Sequence, residues 1–115
     1  MDESDRGVYM SLPSEDDVDK SLNYLASTDE AYAKSTARVK ALEYEVKTIK
    51  ALAFLDAQGT VGERTAISEA SSAFRAWIND YENAFADMKI METKRKRAEL
   101  NIDVWRSLNA SRRQG

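Results

Sequence analysis

Between Ile67 and Asn109 the chain repeats in sevens, and this feature constrains its folding more than any other. One register runs Ile67, Phe74, Tyr81, Met88, Arg95, Ile102 and Asn109; the register three residues on runs Ala70, Trp77, Ala84, Met91, Ala98 and Trp105. Apolar groups alternately three and four residues apart form the seam of a long helix packed on other helices. Small Ala70, Ala84 and Ala98 alternate with bulkier residues, as interdigitating layers require. Only Arg95 puts a charge on this seam.

A second periodic stretch precedes it. Ser14 is placed to cap a helix whose first turn holds Glu15, Asp16 and Asp17, carboxylates that favour the positive end of the helix dipole. Val18, Leu22, Leu25, Tyr32, Val39, Leu42, Val46, Ile49 and Ala53 then form a stripe that is expected to slip by one position near Leu42. Neither Pro nor Gly interrupts it before Gly59. Gly59 suits the left-handed position that ends a helix, and Thr60-Val61-Gly62-Glu63 reads as a capping box that starts the next. So short a connection makes the two helices antiparallel, pairing residues whose numbers add to about 118–120.

The expected architecture is therefore all-α. A tail over 1–13 leads into a long, coiled-coil-like helical hairpin over 14–111, and 112–115 fray as a basic C-terminus. Helix 1 covers about 14–58, the turn 59–62 and helix 2 about 61–111. One seam buries little for a chain of 115 residues, and apolar groups flank it. Self-association into a four-helix bundle or larger oligomer follows, with Trp77, Ile78, Tyr81, Phe85, Met88 and Trp105 as candidate interface residues.

Composition removes most chemistry. With no His and no Cys, the usual zinc, haem and copper sites, disulfides and catalytic triads are excluded. There is no Glu-x-x-His motif for a di-iron bundle site, and the glycines form no phosphate loop. The expectation is a protein that is no enzyme and has no cofactor, metal site or small-molecule substrate. No apolar run is long enough for a membrane span, and the acidic start lacks the apolar region of a secretory signal. A cytoplasmic protein is expected.

The net charge of −3 conceals a polarity. Residues 1–30 carry nine acids against two bases, whereas residues 89–115 carry eight bases against three acids. Folding the chain at Gly59 brings these halves together, so internal complementarity that sets register is one explanation. The other is a phosphate-binding band built from Lys89, Lys94, Lys96, Arg97, Arg106, Arg112 and Arg113. Bases 94–97 point in four directions around a helix, and Arg95 falls on the seam, where it either pairs with Asp29 or Glu92 or marks a break in the hydrophobic core. Of the aromatic residues able to stack on bases, Trp77, Trp105, Tyr32 and Tyr81 lie on seams, while Tyr24 and Tyr44 lie off them and Tyr9 lies in the tail. Trp105, beside Arg106, is the ring best placed to be shared with a partner.

Three stretches carry a resemblance: Thr60-Val61-Gly62-Glu63-Arg64, the segment Ala98-Glu99-Leu100-Asn101-Ile102-Asp103-Val104-Trp105-Arg106, and Asn109-Ala110-Ser111-Arg112-Arg113-Gln114-Gly115. In these the chain resembles small helical proteins of tailed bacteriophages, encoded among early genes near recombination functions. The resemblance implies a phage accessory factor in the cytoplasm of an infected bacterium. Its partners would be copies of itself and either single-stranded DNA or a recombination or replication protein. The alternative is a structural or regulatory protein-binding module that makes no nucleic-acid contact.

Overall fold

The computed structural model describes residues 11–114; the acidic tail up to Met10, Tyr9 with it, and Gly115 lie outside the described residues. The described chain is all-α: α1 spans Glu15–Asp56, α2 Val61–Glu69 and α3 Ser72–Gln114. Ser14 caps α1 reciprocally. Its hydroxyl accepts from the Asp17 N–H at 3.2 Å, and its own N–H donates to the Asp17 carboxylate at 2.8 Å. Arg112 and Arg113, expected to fray, lie in the last turn of α3, where bases meet the negative end of the dipole.

The described chain divides into two compact units. Unit 1 takes the chain up to Asp29 together with the part from Thr93 onward, and unit 2 is Glu30–Glu92. In unit 1 the α1 and α3 segments run antiparallel: Arg95 reaches Leu25, and Asn101 reaches Ser21. In unit 2 Trp77 bonds to Leu42 and Arg64 to Phe54, again antiparallel. Leu25–Arg95, Leu42–Trp77 and Phe54–Arg64 fall in the register expected from a turn at Gly59.

Helix α1 ends at Asp56, earlier than Gly59, and Gly59 follows with φ +120°. A β-carbon on Gly59 would come closest to the flexible end of the Glu63 side chain, 2.5 Å from a carboxylate oxygen, so it is the positive φ that demands glycine. Thr60 caps α2 as expected, its hydroxyl accepting from the Glu63 N–H at 3.2 Å. Helix α1 has no base in its last turn. Arg64 supplies one from α2: Nε and Nη2 donate to the Phe54 carbonyl at 3.1 and 3.0 Å, with the guanidinium 4.1 Å from the Phe54 ring centre.

Two sequence expectations need correction. The stretch expected to be one helix over 61–111 is broken between Glu69 and Ser72. Ser71 holds the break: its hydroxyl donates to the Ser68 carbonyl at 2.8 Å and accepts from the Phe74 N–H at 3.2 Å, closing one helix and capping the next. From Phe74 onward every seam position is buried or half-buried, but Ile67 and Ala70 are exposed, and Arg64 and Ser68 face inward instead. The inward stripe is thus shifted by one residue across the break.

The slip expected in α1 is also absent. Its inward positions keep strict sevens: Val18, Leu25, Tyr32, Val39, Val46 and Ala53, with Ser21, Thr28, Ser35, Leu42 and Ile49 between them. Leu22, expected on the seam, is 49% exposed. Small hydroxyl residues fill the second register through unit 1 and as far as Ser35 in unit 2, then give way to Leu42 and Ile49. The apolar core is small, comprising Val18, Val39, Leu42, Ala98 and Ile102.

Candidate nucleic-acid interface

Helix α3 delivers the basic residues, and its seam sorts them. Arg95 turns inward with its side chain only 15% exposed. Nη1 donates to the Leu25 carbonyl at 3.0 Å and to the Thr28 hydroxyl at 2.7 Å, and Nη2 meets the Asp29 carboxylate at 2.7 Å. Thr28 passes a further bond to the Tyr24 carbonyl at 2.6 Å. A guanidinium with several fixed donors suits this position better than an ammonium. The anomalous charge on the seam is therefore a latch between helices and is withdrawn from any external partner.

The flanking bases turn outward. Lys94, Lys96, Arg97, Arg106, Arg112 and Arg113 are all exposed. Among the described residues, no carboxylate lies at ion-pair distance from Lys94, Arg97, Arg106, Arg112 or Arg113. These five bases belong to unit 1, as does the acidic first turn of α1. Nearby acids are engaged locally: Asp16 pairs with Lys20 at 3.0 Å, and Asp17 is held by Ser14. Those partners push the Lys20 pKa up, through the hydrogen bond to Asp16 first, and the Asp17 pKa down, through the Ser14 N–H first. Lys89 differs from the other candidates. It lies in unit 2, pairs with Glu92 at 3.2 Å and sits 5.6 Å from the Phe85 ring centre.

Unit 1 also contains an open groove of about 340 Å³ between α1 and α3, lined by Asp17, Lys20, Ser21 and Tyr24 on one side and Lys94, Arg97, Ala98 and Asn101 on the other. Ala98 is a closed floor, 5% exposed, and Asn101 donates to the Ser21 hydroxyl at 3.2 Å behind it. Lys20, Ser21 and Asn101 were no part of the sequence-based candidate set. Their only available signal was register, because Lys20 and Tyr24 come from the opposite helix, a helical turn apart.

The candidate oligomer residues divide differently. In unit 2, Phe74, Trp77, Tyr81 and Phe85 stack in succession, with centroids 5.8, 5.1 and 5.8 Å apart. Lys50 sits 4.8 Å from the Phe74 centre at one end, as Lys89 does near Phe85 at the other. The Trp77 indole donates to the Leu42 carbonyl at 2.7 Å, and the Tyr81 hydroxyl to Glu43 at 3.3 Å. Trp77, Tyr81 and Met88 are thus half-buried within their own chain, as is Trp105 in unit 1, whereas Ile78 and Phe85 are each 38% exposed.

Among the described residues no group of His, Cys, Asp or Glu could hold a metal ion, and no helix is long and apolar enough to cross a membrane. No family model matches the chain, and no curated protein or solved structure matches it either. The likeness to phage proteins therefore draws nothing from these comparisons.

Proposed function

We propose that this protein is a non-enzymatic helical interaction factor that acts as a homo-oligomer and holds nucleic-acid phosphates with the basic end of α3. The observation that carries this reading is the set of five exposed bases, Lys94, Arg97, Arg106, Arg112 and Arg113, with no carboxylate in reach among the described residues. Internal charge balance alone would put acids against them. In this reading the chain folds back as one long antiparallel hairpin, and a second copy covers Ile78 and Phe85 to complete a four-helix bundle. The phage resemblance supplies the setting, recombination or replication of DNA in an infected bacterium.

The test is binding of a labelled single strand across a salt series, with sedimentation of the same samples for assembly mass. Five phosphate contacts give a log–log salt slope of about −3.5. Arg112→Glu with Arg113→Glu flattens that slope. No binding of DNA or RNA at low salt refutes the nucleic-acid reading. A second reading, a module that binds protein alone, is favoured by Ile90 and Leu100, exposed by 56% and 54%. Partner binding that survives Lys94→Glu with Arg97→Glu, in a chain of unchanged helicity, selects it.

A further inference from the structure

The groove in unit 1 combines features that a plain basic surface lacks. Lys20 and Tyr24 stand a turn apart on α1; Lys94, Arg97 and Asn101 follow one another along one face of α3. Tyr24 is half-buried, and its hydroxyl has no hydrogen-bond partner among the described residues. Thr28 bonds to its backbone carbonyl, and the Arg95 latch holds Thr28 in turn. The backbone at Tyr24 is therefore tied to the contact between the helices. Ala98, 5% exposed, lines the same groove with only a methyl group.

We propose that this groove is a nucleoside-phosphate subsite. A base stacks against Tyr24 over Ala98, and the attached phosphate is met by Lys94 and Arg97. The proposal rests on the phosphate-binding reading above and adds an unpaired base to it. Base stacking on an aromatic side chain is tolerant of sequence and needs a free π-face, so a single strand is accepted and a closed duplex is not. Asp17 lines the same groove, but its carboxylate is committed to the Ser14 N–H, and Lys20 is held by Asp16. Lys94 and Arg97 are left as the cations for the ligand. The same chemistry belongs to a free nucleotide and to one unit of a single strand. Two probes separate them: a thymidine mononucleotide and a thymidine decamer.

The experiment titrates the full-length protein with the mononucleotide, the decamer and a duplex of equal length at low salt. Wild type, Tyr24→Leu, Lys94→Glu with Arg97→Glu, and Arg112→Glu with Arg113→Glu are compared, each checked for helicity by circular dichroism. The expected result is decamer binding that is preferred over duplex and weakened about tenfold by Tyr24→Leu, which keeps an apolar side chain but removes the π-face. Tyr24→Phe should retain binding. Mononucleotide binding with the same dependence on Tyr24 assigns the site to free nucleotide; its absence assigns it to strands. If Tyr24→Leu binds like wild type while the Arg112/Arg113 variant is weakened, the groove proposal is overturned and the basic band survives. If no probe binds the wild type, both fall.

Discussion

The two units are built on one heptad register and hold their helices together with different balances of bonding and packing. In unit 1 the second register of α1 is Ser21 and Thr28, facing an α3 segment with Ala98, Asn101 and Arg95. Directional bonds join the helices there, beside the buried Val18, Ala98 and Ile102. In unit 2 the corresponding positions are Ser35, Leu42 and Ile49, and α3 brings the stack of Phe74, Trp77, Tyr81 and Phe85. Packing dominates there, with single bonds from Trp77 and Tyr81 fixing ring positions. The contrast teaches that a seven-residue spacing sets which face turns inward without deciding what chemistry holds it. The unit with the polar seam also carries the exposed Lys94, Arg97, Arg106, Arg112 and Arg113 and the groove.

The contrast is most severely tested at Leu42, which is 1% exposed. Leu42→Ala should destabilise by about 3–4 kcal/mol in urea unfolding, the usual result of a cavity in a packed seam. Ser21→Ala, at a buried position of the same register in unit 1, should cost about 1 kcal/mol. Similar losses at both would erase the distinction. Arg95 comes next. Arg95→Ala should cost about 2 kcal/mol, because bonds to a charged donor are lost and space opens on the seam. Arg95→Met should recover most of that, since an apolar group of similar length can replace a latched charge. Amide exchange sharpens the point: Arg95→Met should exchange faster around Leu25–Asp29 even where global stability is kept, and unchanged protection there would deny the latch its role.

A smaller effect belongs to Ser71. Ser71→Ala should cost about 1 kcal/mol through loss of the cap. A gain in stability would mean that α2 and α3 prefer to fuse, and that the break is held by something other than this hydroxyl. The smallest effects are in pH. Tyr81 in unit 2 has its pKa pushed above the ordinary value of 10.0, by desolvation first and the Glu43 carboxylate second. The fold thus prefers the protonated phenol; this contribution is complete below pH 10 and is lost as pH rises through the higher folded value. Asp17 in unit 1 is the mirror case. Its contribution is present above 3.8 and disappears as pH falls through the lowered folded value. Helicity measured at both extremes should show Glu43→Gln blunting the alkaline loss and Asp17→Asn, which removes the titrating carboxylate, blunting the acid one.

How much of this was legible in the sequence depends on side-chain polarity. The inward face of α3 from Phe74 onward could be read because large apolar groups mark it. Ser21, Thr28 and Ser35 share that regularity in α1, but hydroxyl residues look like surface, and Leu22 drew the stripe aside. The turn was readable because glycine at positive φ and a threonine cap have local causes. The break at Ser71 was not, since Glu69-Ala70-Ser71-Ser72-Ala73 contains neither Gly nor Pro and could continue a helix. Arg95 stood out as a seam charge with Asp29 and Glu92 both in question as partners, and the structure shows the Asp29 pair together with the Thr28 and Leu25 acceptors. The run 94–97 was visible, whereas the groove was not, because half its wall comes from residues some seventy positions earlier.

The placement of the two indoles has a practical consequence. Trp77 lies in unit 2, wedged between Phe74 and Tyr81 with its N–H on the Leu42 carbonyl, and Trp105 lies in unit 1. Each unit therefore contains its own fluorophore. Replacing either by phenylalanine leaves a chain whose emission comes from one seam, so the melting of the polar half and that of the aromatic half become separate optical channels. The stacked rings around Trp77 also make its exciton-coupled near-ultraviolet dichroism a signature of intact ring geometry, a signal that helical content alone does not contain.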